Sequence, residues 1–156
     1  MRKSVIIIVL IATVVTSCKN AEKQDENKIT KEAVQEQVDD VLSTQWMNDI
    51  QLNNRTKWEA NIETTEGVEN MQALLKTHTP SSIEDYHQLA NELNDVKNKV
   101  VKECTMKGAS HDNLHIWLYP LIEKISALSK TDDLNEASKI KQSISENIEV
   151  YSTYFQ

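Results

Sequence analysis

Between Ile83 and Cys104 an apolar stripe runs through Ile83, Tyr86, Leu89, Ala90, Leu93, Val96, Val100 and Cys104. Steps of three and four residues sustained over twenty positions put one greasy stripe on a helix and are incompatible with the two-residue period of a strand. A second stripe, Leu114, Leu118, Leu121, Ile122, Ile125 and Leu128, follows, and a third runs through Leu134, Ala137, Ile140, Ile144, Ile148, Tyr151 and Phe155. A single striped helix is unstable alone, so these stripes must face one another. With only two glycines and two prolines in 156 residues, the chain lacks the turn residues of a β architecture. Its length suits one domain. The sum is an all-α protein, a four- or five-helix up-and-down bundle with short corners.

Local signals divide the bundle. Ile29, Ala33, Val34, Val38, Val41 and Leu42 outline a first helix, with Thr30 as a cap. Asn48–Ile62 reads as a structured connection whose Trp58 covers part of the core. Thr64-Thr65-Glu66-Gly67 reads as the start of a helix striped by Val68, Met71, Leu74 and Leu75, and Pro80 ends it. Ser81-x-x-Glu84 and Ser82-x-x-Asp85 both have the capping-box form, the first being the more standard. Lys107-Gly108 predicts a glycine stop, Ser110 a cap for the next helix, and Asp132 or Asp133 the start of the last. Pro120 predicts a kink, or a later helix start.

The amino terminus carries a different pattern. Arg2 and Lys3 precede an apolar run from Val5 to Val15, and Val15-Thr16-Ser17-Cys18 follows. The run is too short for a permanent membrane span, which takes about 20 residues. These residues resemble a bacterial lipoprotein signal peptide ending in a lipobox. The resemblance implies removal of residues 1–17, lipidation of Cys18 and a protein held to a bacterial envelope membrane by its acyl chains, with the domain facing periplasm or surface. Lys19 in place of Asp implies the outer membrane under one sorting rule. Residues 18–29 would then be the lipidated tether, polar enough to stay extended, and residues 30–156 the bundle.

Charge narrows the partners. Net charge is −7, and removing Arg2 and Lys3 from the 17 basic residues leaves 15 against 24 acidic, a net −9. A surface of that sign repels phosphate backbones, which argues against nucleic acid. Chemistry concentrates in Glu103-Cys-Thr-Met-Lys-Gly-Ala-Ser-His-Asp-Asn-Leu-His115. Cys104 prolongs the stripe of its helix, Met106 lies in the corner, and His111 and His115, four apart, share a face of the next helix. Convergence of these four would make a soft-metal site, suited to Cu(I) through thiolate and thioether or to Zn(II) through Cys and two His, with Asp112 or water as fourth ligand. With Cys18 lipidated, Cys104 would be an unpaired thiol in an oxidising compartment. The same residues also read as an ordinary helical corner, since cysteine is often a small core residue.

Other chemistries have less to stand on. Met71 fits the core of its own stripe; as a further thioether it would extend the metal set. No C-x-x-C-H occurs for haem attachment. A Cys–His nucleophile would need an oxyanion hole, which a chain with Gly67 and Gly108 alone is poorly equipped to build, and no carboxylate pair stands out, so no enzyme is expected. The body of the chain resembles, in a general way, small helical periplasmic lipoproteins, some of which handle heavy metals. Two functions follow: a membrane-anchored protein that buffers, delivers or senses Cu(I), or a metal-free module docking on another envelope protein through off-stripe aromatics such as Trp46 or Trp117.

Overall fold

A computed structural model describes residues 40–156. Cys18, the tether and most of the first expected helix lie outside the described residues. The rest is all-α, a four-helix bundle of α1 (Ile62–Thr77), α2 (Ile83–Glu103), α3 (Ala109–Leu128) and α4 (Leu134–Tyr154), preceded by a 3-10 turn at Gln45–Asn48. Each helix follows the last through five residues, His78–Ser82, Cys104–Gly108 and Ser129–Asp133. Such corners fold neighbours back antiparallel. Cross-links confirm the up-and-down order: Asn61, before α1, bonds Glu103 at the end of α2, while His87 near the start of α2 meets the Thr131 carbonyl between α3 and α4. α1 also packs on α4, closing the ring.

Most stripe positions become the core as expected, but Leu134, at the start of α4, is exposed, and Val96 and Ile122 are only partly buried. Leu89, Leu93, Leu114, Leu121, Leu128, Ile140, Ile144 and Ile148 are buried on all sides, together with Met71. At about 25 cal/mol per Å² of apolar surface removed from water, each such side chain contributes about 1.5–3 kcal/mol. α1 and α2 pack tightly at Gly67, where a Cβ would strike the Val100 side chain. The glycine is therefore a packing device inside α1, whose start lies earlier than the sequence indicates, at Ile62 after Asn61.

Helix ends show which local signals won. Ser82, not Ser81, caps α2: its hydroxyl accepts the Asp85 N–H (3.2 Å) and the Asp85 carboxylate accepts the Ser82 N–H (3.0 Å). Asp85 also accepts both the N–H and the hydroxyl of Ser81, so one carboxylate absorbs both candidate caps. Those backbone donors hold its pKa below the ordinary carboxylate value. Asp133 caps α4 through the Glu136 N–H. Ser110 does not cap α3; its hydroxyl donates to the Lys107 carbonyl, and Gly108, at φ +61°, takes the N-cap position. Pro120 sits within an unbroken α3.

The connection 48–61 is ordered by the opposite end of the chain. Trp58 N–H donates to the Tyr154 carbonyl (2.7 Å), Gln156 N–H to the Trp58 carbonyl (3.0 Å) and Ala60 N–H to the Gln156 carbonyl (2.9 Å). The Trp58 indole donates to the Gln51 carbonyl at 2.6 Å. Trp58 packs against the core, as expected. Among the described residues there is no strand, only isolated bridges such as Trp58 with Phe155.

Candidate functional site

The corner between α2 and α3 lies at the pole where the chain enters α1 and where α4 ends. Its foundation is Asn61, which the sequence reading passed over. The Asn61 amide donates to the Glu103 carbonyl (3.2 Å) and to Glu63 (2.8 Å), and its Oδ1 accepts the Thr64 hydroxyl (2.8 Å) and the Thr105 N–H (3.4 Å). Thr64 is fully buried beneath it. Asn61 thus clamps the residues on both sides of Cys104, and its bond to Glu63 holds that carboxyl's pKa below the ordinary value. Nothing local identifies such a clamp, since Glu103 and Thr105 lie more than forty residues away.

Cys104 is a free, half-buried thiol packed against the core. It does not ride on α2 as the stripe indicates. The helix stops at Glu103, and Cys104 has extended backbone angles (φ −64°, ψ 122°). The reason is tertiary: the carbonyl and N–H that would continue the helix are taken by Asn61. Cys104 lies close enough to Tyr151 to act on it electrostatically; burial pushes the Tyr151 phenol up, its bond to the Thr65 hydroxyl (3.0 Å) opposes this, and Cys104 adds to the rise. Met106 is also half-buried against the core.

His111 and His115 stand one turn apart on α3, half-buried, with ring centres 4.2 Å apart and tilted by 57°. His115 also meets the Tyr119 ring edge-on at 4.9 Å. The shared face expected from their spacing is therefore real. Full convergence is not: among the described residues, no three side chains of His, Cys, Asp and Glu stand together as a metal-binding group, so Cys104, His111 and His115 do not form one. The early end of α2 places four irregular residues between the thiol and α3 in place of a tight turn. Met71, the further thioether, is sealed in the core.

Trp117 corrects the docking reading. It is wholly buried, donating its indole N–H to the Asn147 carbonyl (2.8 Å), and is no outward anchor. His87 is half-buried and engaged with the Thr131 carbonyl. Lys124 was missed altogether. It lies three residues after Leu121 and four before Leu128, a charge set inside an apolar stripe, which is the signal that could have found it. Compared with protein-family models, curated proteins and solved structures, the chain matches none.

Proposed function

We propose that this protein is a lipid-anchored envelope protein whose α2–α3 corner takes up Cu(I) for buffering, delivery or sensing. One observation carries the reading: two imidazoles with ring centres 4.2 Å apart on α3, next to a short loop that holds both a free thiol and a thioether. Cu(I) is a soft ion with low coordination demands, so two imidazoles and one sulfur satisfy it; a three-member set of His, Cys and carboxylate is not required. Zn(II), which wants four ligands, is less well served. Thr105–Lys107 belong to no helical ladder, so Met106 or Cys104 can close on the histidines without breaking one. The lipid anchor rests on Arg2, Lys3, the apolar run and Val15-Thr16-Ser17-Cys18. No helix among the described residues is long and apolar enough to cross a membrane.

The test is competitive titration with a chromogenic Cu(I) chelator, using the unaltered chain beside His111→Ala, Met106→Leu and Cys104→Ser variants. Affinity should fall at least tenfold without His111. The sulfur whose loss matters more is the third ligand. Binding should weaken on acidification, because imidazole must release its proton to ligate. Equal, weak binding by all four proteins would remove the metal reading and leave the acidic, metal-free docking module.

A further inference from the structure

A second place in the bundle holds polar groups that the described residues leave wholly or partly unsatisfied. Lys124 is 1% exposed, yet its ammonium makes a single hydrogen bond, to Asn147 Oδ1 at 3.0 Å. An ammonium carries three donors, and a buried charge without an anionic partner is costly. Among the described residues no carboxylate lies within ion-pair distance of it. Next to it, the Trp46 indole Nε1–H is buried without any acceptor, and the lysine nitrogen sits 5.9 Å from the centre of that ring. Both residues line one cleft of about 460 Å³, between the 3-10 turn, α3 and α4. That volume is in the range of small-molecule sites.

The remaining lining states what kind of ligand fits. Met47, Val150 and the Trp46 ring supply apolar walls, and Ser143, buried, and Thr153 add hydroxyls. Glu146 and Glu149 stand at the exposed rim, each already accepting from its own helix, from Gln142 (2.9 Å) and Ser145 (3.2 Å). Those rim charges oppose a dianion such as phosphate, while the inner donors call for acceptor oxygens bearing one negative charge. We propose that the cleft binds a small monocarboxylate with an apolar body, its carboxylate seated on Lys124 Nζ and the Trp46 indole N–H. A carboxylate offers several acceptor sites and carries the missing counter-charge, so one group answers both vacant donors. This site is separate from the metal corner and does not depend on it.

The experiment uses the full chain, labelled with nitrogen-15 and held in a neutral detergent, titrated with benzoate, benzamide and inorganic phosphate. The Trp46 indole resonance is identified by its loss in Trp46→Phe. Benzoate should shift that resonance downfield as the N–H gains an acceptor, with an affinity at least tenfold above those of benzamide and phosphate. Lys124→Met, which keeps the length of the side chain and removes the charge, should lower benzoate affinity at least tenfold. The proposal is overturned by a Trp46 resonance that benzoate leaves in place, by benzamide or phosphate binding as tightly as benzoate, or by full benzoate affinity in Lys124→Met. The comparison of ligands is made on the unaltered chain, so it decides the matter even if Lys124→Met misfolds.

Discussion

Replacing Lys124 by Met should stabilise the protein at neutral pH and destabilise it in alkali. Burial drives the Lys124 pKa from 10.5 down to about 8, with the Glu146 charge opposing the fall. In the unfolded chain the ammonium keeps its ordinary value, so between about pH 8 and 10.5 the unfolded state holds the extra proton. Stability contributed by this residue therefore rises with pH across that window, and below it the folded protein carries the full penalty. The interval corresponds to about 3 kcal/mol. Methionine escapes that penalty but leaves Asn147 Oδ1 without its donor, a cost of about 1–3 kcal/mol for a buried acceptor. The balance near pH 7 is about 1 kcal/mol in favour of the variant, a gain of roughly 2–4 °C in melting temperature for a chain of this size. Above pH 10.5 only the orphaned acceptor remains and the order reverses. Urea unfolding of both proteins at pH 7, 9 and 10.5 measures the difference directly. A difference that stays constant over that range would refute the argument, because it would mean Lys124 titrates alike in folded and unfolded chains.

Three further outcomes follow from the packing and the leader. Gly67→Ala should lower stability by about 1–3 kcal/mol in urea, since overlap with Val100 outweighs the roughly 1 kcal/mol that alanine gains in helix propensity; a stabilised variant would show that α1 and α2 separate freely. Asn61→Ala should cost about 2–3 kcal/mol through its lost corner bonds. It should also weaken Cu(I) binding several-fold, while unchanged copper affinity would mean that the clamp does not shape the site. Cys18→Ala should move the protein from the membrane to the soluble fraction after cell fractionation, and mass spectrometry of the unaltered chain should find acyl groups on Cys18; an unmodified thiol there would defeat the anchor.

Much of the bundle was legible in the chain itself, because helix period and end signals act over a few residues. The stripes of α2, α3 and α4 predicted the buried leucines and isoleucines, and Asp133 was one of two offered starts that the fold then used. Where two local signals competed, the fold chose: Ser81 and Ser82 were both plausible caps, and Ser82 became the cap because its hydroxyl accepts the Asp85 N–H, while the Ser81 hydroxyl donates to the Asp85 carboxylate. The four-residue spacing of His111 and His115 was enough to pair their rings, a purely local consequence of helical geometry. Cys104 was not so determined. Its place in an apolar stripe pointed to the helix, but Asn61, more than forty residues upstream, captured the backbone groups around it and ended α2 one residue before. The order in residues 48–61 likewise comes from pairing with Tyr154 and Gln156, across the whole length of the domain. Lys124 shows the same division: its type and position were visible, but its burial beside an unpaired indole arises only when the 3-10 turn closes over α3 and α4. Periodicity reports which face of a helix turns inward; which distant group waits there is set by the assembled fold.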